Sequence, residues 1–560
     1  MKNVLEQVPE EEKGEMNLTK GKKLVFWGTG TIANVCLKQF PEVRPQFFID
    51  SSWNNENKFC DITVVRPDEV DRWDELFVVI MVSSAAALEE IENILKKKGL
   101  KKEKDYIGFG DFFGYHKKNI AESLTYINSF IRDRKDYKNC TLIVAPVFSS
   151  RTADIMLNFF RMYGQKKVFG KCVLFSSLKI MDEDYAENQI GFPVLDMPQI
   201  CQWSGRKDQD ILDLEGELNH VIELSDDERK CIEDLEQRKI SENNELSFRV
   251  SAEMYWYCKQ ILTILQPREV IIWSGWSRLS YILAEISGRN SISYGFMELG
   301  WIPGTFQFDR RGVGGQCEYA VYPEKILNIP ITNKDMDVKA IREYIRKTQL
   351  DNRKFRINDL DERNFSHVDR CRKTVFFVGM ADSIMEMNPQ SEYWSEYISS
   401  HFPSTLDAAL YVAEICERNQ WNFIFKPHPS TVNDTGINPD CLPENIIFIK
   451  DMQIDRLIEA ADVVISIASA VDYKALIYGR PLVSLGHTTL HKKGCCYEPK
   501  DKKDIESQLI MAVNNGMTEE QNENFEQLMI RLLENYLWDD LSERDLRYGL
   551  SLEIDFFTRN

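Results

Sequence analysis

The residues Lys426-Pro427-His428-Pro429 place a cation and an imidazole directly after a short apolar run, Asn422 to Phe425, with a proline on each side of the histidine. Proline fixes its own φ and restricts the residue before it, so the backbone around His428 is narrowly defined. An imidazole held there can donate a hydrogen bond to a phosphate or polarise a leaving group; it can equally cap a turn. Further on, Ser466-Ile467-Ala468-Ser469-Ala470 follows a second apolar run and opens a helical stretch, Asp472 to Tyr478, which contains Lys474 and is closed by Gly479. Free N–H groups and hydroxyls at a helix start suit a phosphate, while the plainer reading makes Ser469 the helix cap. A third group precedes these. Trp273-Ser274-Gly275-Trp276-Ser277-Arg278 leads into a helix, and Glu298 sits among apolar and aromatic neighbours in Tyr294-Gly295-Phe296-Met297-Glu298-Leu299-Gly300-Trp301. Such surroundings raise a carboxyl pKa toward values suited to proton transfer, unless the group is paired to Arg278. The loop Asp309-Arg310-Arg311-Gly312-Val313-Gly314-Gly315 offers cations and glycines for an acceptor or a phosphate, or it is a plain turn.

Regular alternation must position these groups. Strands are expected at Thr374–Val378, Asn422–Lys426, Ile446–Lys450, Val463–Ile467 and Leu482–Leu485, with helices Leu406–Cys416, Ile454–Ala460 and Asp472–Tyr478 between them. That order predicts an α/β fold with a parallel sheet whose ligands lie at the strand C-termini. A similar start occurs at Thr141–Ala145, with a helix Asp154–Tyr163 and strands Lys171–Phe175 and Glu269–Trp273. Before both, Lys22–Trp27 runs into Gly28-Thr29-Gly30, a helix, and a strand ending at Asp50. Gly28, Gly30 and Asp50 fit the outline of a dinucleotide fingerprint, and the same unit also reads as a nucleotide- or small-ligand-binding domain or as an assembly element. The expected plan is a polar leader (1–20), a small doubly wound N-terminal domain (21–135), a second α/β domain (136–340), a third α/β domain (341–515) and a helical tail (516–560). Leu224–Leu246 is expected as an exposed helix, and Asn333–Arg372 as a connection.

Composition bounds the class. At about 150 residues per domain, 560 residues make three or four units. The 43% apolar content and a mean hydropathy of -0.36 describe a globular chain with a water-facing surface. A net charge of -19 argues against a nucleic-acid-coating surface, so anionic ligands must be met by local cations. No secretory signal or run of membrane-spanning length is evident, which predicts a cytoplasmic protein. Thirteen cysteines without a CxxC pair read as reduced core thiols. Four Asp-x-Asp triplets start at Asp182, Asp208, Asp335 and Asp359, but 40 aspartates in 560 positions yield about three by chance, and no metal site is expected.

The ordered segments GWSRLSYILA, MELGWIPGTFQFDRRGVGG, Ala381 to Ile384, NFIFKPHP and ISIASAVDYKALIYGRPLVSLG resemble the bacterial capsule polysaccharide biosynthesis family over roughly residues 140–500. That family includes the Kdo transferases of Gram-negative capsule assembly. The resemblance implies a GT-B pair of Rossmann-like domains facing a cleft, no required cofactor, and a nucleotide-sugar donor, CMP-activated, held by the second domain. It makes His428 the donor-phosphate histidine, Ser469 a phosphate-binding serine and Glu298 the acceptor-side acid. Lys426, Pro429, Ser466, Asp472, Lys474, Asp382 and Ser383 would then line the donor side, and Arg278, Arg310 and Arg311 the acceptor or phosphate side. Two positions depart from the family pattern: Leu299 replaces the second carboxylate of an acidic pair, and Lys474 replaces a ribose-holding glutamate, with Asp472 half a turn away. The implied activity is sugar transfer to a glycan or lipid-linked glycan, with peripheral contact at the inner membrane or with other assembly proteins. Alternatives are a CDP-polyol phosphotransferase and a non-catalytic glycan-assembly protein.

Overall fold

A computed structural model describes residues 21–51, 58–82, 85–113, 119–145, 171–176, 187–188, 190–201, 224–238, 244–333, 335–351, 359–380, 388–428, 437, 439–450 and 452–539. Two compact units result, the first formed among the described residues by 21–113. Its sheet has the order β3-β4-β2-β1-β5-β6, from β1 (Lys23–Trp27), β2 (Phe47–Ile49), β3 (Lys58–Phe59), β4 (Ile62–Val65), β5 (Leu76–Ile80) and β6 (Tyr106–Gly108). Only the β3–β4 pair is antiparallel. β5 reads LFVVI and is buried throughout, as a central parallel strand covered on both faces must be.

The second unit holds two further sheets. The first contains β7 (Thr141–Ala145), β8 (Cys172–Ser176), β9 (Val194–Asp196), β10 (Glu269–Trp273), β11 (Ser293–Leu299) and β12 (Thr305–Asp309). The second contains β13 (Thr374–Val378), β14 (Asn422–Lys426), β15 (Ile446–Phe448), β16 (Val463–Ser466) and β17 (Leu482–Ser484), all parallel, in the order β15-β14-β13-β16-β17. The last strand, β18 (Leu537–Asp539), returns to the first sheet, giving β18-β12-β11-β10-β7-β8-β9. The expected α/β class and the paired Rossmann-like frame are what the chain adopts, and the strands at 269–273, 374–378 and 422–426 have their expected bounds.

Several expectations change. The helix Ile120–Asp133, assigned from sequence to the N-terminal domain, buries Ile120, Ile127 and Phe130 in the core of the first sheet of the second unit. The acidic stretch expected to be exposed forms the helix Asp226–Gln237, which buries Cys231, Ile232 and Leu235 in that same core. The expected connection contains the helix Val338–Asp351, whose Val338, Ile341 and Ile345 enter the core of the second sheet. In each case polar residues dominate the count while a few apolar ones at helical spacing decide the packing. The expected helix Asp154–Tyr163 lies outside the described residues.

The described residues 519–539 pack into the core. The helix Glu519–Asn535 buries Phe525, Leu528 and Leu532, and Tyr536 then reaches across to Trp301. Trp301 stacks on Tyr473 at 5.7 Å and on Tyr536 at 5.5 Å, so one indole joins the first sheet, the helix Val471–Ile477 and the C-terminal segment. The Tyr536 hydroxyl donates to Asp309 Oδ2 at 2.7 Å. At Gly315 the two halves touch through backbone: an added Cβ would lie 2.2 Å from the Tyr397 carbonyl oxygen and 2.7 Å from that of His487. Replacing Trp301 by alanine should remove the stack and leave a cavity, costing about 3–5 kcal/mol in denaturant unfolding of the full chain.

Candidate active site

β10 and β11 run parallel with Trp273 opposite Met297, so Ser274 and Glu298 leave the sheet at one edge. Ser274 is buried with φ +55°, in the left-handed region where a serine is uncommon. Its N–H donates to the Met297 carbonyl at 2.7 Å, and its hydroxyl donates to the Glu298 carboxylate. The Leu299 N–H donates to Glu298 Oε1 at 3.0 Å. Part of the Glu298 residue remains exposed, but its carboxyl is enclosed, and lost hydration pushes its pKa up to about 7 against those two hydrogen bonds. The group therefore changes charge near neutrality.

The arginines expected beside it are placed otherwise. Arg278 Nη2 donates to Ser247 Oγ at 3.0 Å and Nε lies 3.7 Å from Glu236 Oε1, which ties the helix Arg278–Arg289 to its neighbours instead of pairing with Glu298. Arg310 Nη1 donates to Glu269 Oε1 at 3.0 Å, Ser293 Oγ at 2.7 Å and the Tyr294 carbonyl at 2.9 Å. Glu269 and Ser293 begin β10 and β11, so Arg310 stands at the sheet edge opposite Glu298, to which the antiparallel β12 has returned the chain. Amides in and after this loop are taken by Asp309, which accepts from Arg311 N at 2.7 Å, Gly312 N at 3.3 Å and Glu318 N at 2.9 Å, as a structural turn would have it. Arg311 is exposed, lies 5.3 Å from the Tyr322 ring centroid and hydrogen-bonds Tyr397.

On the second sheet, Lys426 ends β14 and its buried ammonium donates to the Lys450 carbonyl. The loop that offers this carbonyl is held by Asp361, which accepts from Lys450 N at 2.9 Å and Met452 N at 2.7 Å. One carboxylate of the Asp359-x-Asp361 triplet thus serves backbone N–H groups. His428 follows, and burial together with the Lys426 charge holds its pKa below the usual histidine range, so the ring is neutral at pH 7. Its backbone is fixed by Gly379, where an added Cβ would come within 2.8 Å of Pro427 Cα and 3.0 Å of His428 N.

The turn after β16 satisfies itself. Ser466 Oγ donates to Asp472 Oδ1 at 2.5 Å, Ser469 N donates to Asp472 Oδ2 at 3.3 Å, and Ser469 Oγ accepts from Val471 N at 3.2 Å. Asp472 is fully buried and pushed up to about 7, so it shapes the turn and does not take over a ribose contact. Lys474, also buried, pairs with Asp455 Oδ1 at 2.5 Å, and Tyr478 donates to that oxygen at 2.7 Å. This lysine therefore braces two helices within the fold and is removed from the donor-facing set. Asp382, Ser383 and Pro429 lie outside the described residues.

In the N-terminal unit, Gly28 has φ +116° and faces the Met81 carbonyl, so the turn requires glycine there. Gly30 precedes the helix Thr31–Gln39. Asp50 Oδ2 accepts from Thr29 N at 3.0 Å and Thr29 Oγ1 at 2.6 Å, so the residue at ribose-binding distance closes the loop instead. Among the described residues no group of three or more His, Cys, Asp or Glu is placed to hold a metal, and no helix is long and apolar enough to cross a membrane. The cysteines are free, and all but Cys60, Cys371 and Cys441 are buried.

The sequence reading missed Ser274, Gly379 and Asp309, whose roles depend on neighbours distant in the chain. A serine before a glycine at a strand end was the one local signal for Ser274.

Residues 396–505, which contain the β14 and β16 loops, match the family described as capsule polysaccharide biosynthesis protein. The match spans 110 of the 560 residues, and over them the chain is similar to that family. A comparison with curated proteins returned no match. Among solved structures, the beta Kdo 2,7 transferase of Thermosulfurimonas dismutans KpsC is 16% identical, covering 50% of this chain and 81% of its own, with a TM-score of 0.30. The beta Kdo 2,4 transferase of the same protein is 13% identical (48% and 80%; TM-score 0.33), and the UDP-GlcNAc 2-epimerase from Neisseria meningitidis is 12% identical (69% and 93%; TM-score 0.32). Superpositions this loose carry no weight for the site. The likeness to the capsule family rests on residues 396–505.

The raised carboxyls have a thermodynamic signature. Asp472 has a folded pKa of about 7 against an ordinary value of 3.8, so between these values the unfolded chain has released a proton that the folded chain retains. Stability then falls as pH rises through that interval. Asp472→Asn and Glu298→Gln should each flatten the fall in melting temperature between about pH 4 and 7.

Proposed function

We propose that this chain is a glycosyltransferase of capsule polysaccharide synthesis that transfers a sugar from a nucleotide-activated, CMP-linked donor to a glycan or lipid-linked glycan. The observation that carries the reading is the enclosed Glu298 carboxyl, with a pKa of about 7, at the ligand edge of the first sheet. A general base works best when its pKa lies near the working pH. In the transfer, the acceptor hydroxyl oxygen forms the new bond to the anomeric carbon and its proton passes to the Glu298 carboxylate. The bond from that carbon to the phosphate oxygen breaks, and its electron pair leaves with the nucleotide. Neutral His428 keeps one N–H to donate to that phosphate as charge develops. Ser469, half-buried in the adjacent turn, is the second donor-side group. The protein would work in the cytoplasm, where its sugar nucleotide is made, with peripheral contact at the membrane that carries a lipid-linked acceptor.

One observation favours a competing reading, a glycan-assembly protein that binds without turnover. At the position of the family's ribose-holding glutamate, Lys474 is engaged with Asp455. Donor turnover decides between them. Incubated with CMP-Kdo and other sugar nucleotides, the wild type should release the nucleotide at a rate that rises as Glu298 ionises through about pH 7. Glu298→Gln should remove that rise, and His428→Ala should lower the rate by about 10²–10³-fold. Full activity in His428→Ala overturns the donor assignment, and absence of turnover or nucleotide binding in the wild type favours the assembly protein.

A further inference from the structure

Between the two halves of the second unit lies a cavity of about 360 Å³. Its walls come from the helices Asp226–Gln237 and Arg278–Arg289, from β11 and the loop after β12, and from Tyr393 and Tyr397 on the helix Glu392–Tyr397 of the second half. We infer that this cavity binds a saccharide unit bearing an anionic group, as the part of the acceptor next to the reacting hydroxyl. The acceptor role rests on the transferase reading; the binding itself does not.

Three features carry the inference. The first is aromatic lining. The Tyr281 and Tyr393 hydroxyls hydrogen-bond to each other, and their rings pack edge to face at 5.9 Å, with Tyr393 and Tyr397 at 4.9 Å. Burial raises the Tyr281 and Tyr393 pKa values far above neutrality, so this wall stays uncharged and offers flat ring faces to the C–H faces of a sugar. The second is charge. Arg238 lies 5.2 Å from the Tyr393 centroid and 6.0 Å from that of Tyr281, and is exposed, as is Arg311. Arg289 is matched by Glu285 at 2.7 Å, and Asp234 offsets part of the remaining charge, so three arginines against two carboxylates leave the lining net cationic. A guanidinium spread over an aromatic face keeps its N–H edge for bidentate contact with a carboxylate or phosphate.

The third is position. Phe296 lines the cavity and lies two residues before Glu298 on β11, hence on the same face and about 7 Å along the strand. The strand that lines the cavity is thus the one that carries the proposed base. The volume falls at the small end of ligand pockets, roughly 300–1,000 Å³, which suits a single unit rather than a polymer strand.

The test is calorimetry on the full chain at pH 7 with glucuronic acid, glucose 6-phosphate and glucose, without donor. Either anionic sugar should bind at least tenfold more tightly than glucose. Arg238→Gln and Arg311→Gln should each reduce that binding tenfold or more, while the melting-temperature rise given by the cytidine nucleotide is kept in Arg238→Gln. The inference is overturned if no sugar binds, if glucose binds as well as its anionic counterparts, or if both variants bind like the wild type. Absence of sugar binding in the wild type with donor turnover intact refutes the cavity alone; sugar binding in the wild type without donor turnover refutes the transferase reading alone.

Discussion

Trp301, stacked between Tyr473 and Tyr536, is the contact on which the relation of the two sheets depends. Parallel stacks at 5.5–5.7 Å bury three large rings in the core that also holds Leu476, Phe525 and Leu528. The Tyr536 hydroxyl then fixes Asp309, and Asp309 fixes the backbone of Arg311, Gly312 and Glu318. From that loop Gly315 meets the carbonyls of Tyr397 and His487 in the second half. The distance between the strand ends carrying Glu298 and those carrying His428 is thus set by a rigid chain of contacts that begins at one indole.

The arrangement also accounts for the charges. The chain is acidic overall, yet the cations expected to meet an anionic ligand, Arg278, Arg310, Lys426 and Lys474, are all engaged by carboxylates, hydroxyls or carbonyls. Burying a cation is tolerable only with such partners. What faces the ligand edge is instead held near neutrality: Glu298 at about 7 and His428 below the ordinary histidine value. Such an arrangement relies on proton position and hydrogen bonding more than on net charge, and Arg238, Arg311 and the Glu285-paired Arg289 are exposed cations that line the cavity.

Several elements show how much was legible in advance. Parallel strands buried on both faces are short continuous apolar runs, so β10, β13 and β14 could be read with their bounds. The antiparallel β12 and the returning β18 could not, because each is defined by a strand far away in the chain. The edge at which Arg310 ends up follows from that hidden reversal.

The sequence by itself determined the α/β class, the strand-end placement of Glu298, His428 and Ser469, and the family motifs, because these depend on residues close together in the chain. Tertiary structure alone decided the partners and burial of the candidate groups. Whether Asp472 holds a ribose or a turn, whether Lys474 meets a ligand or Asp455, and whether Glu298 titrates near neutrality are settled by burial and by partners from other segments. Desolvation and hydrogen bonding are properties of an assembled environment, and no spacing of residues along the chain encodes them locally.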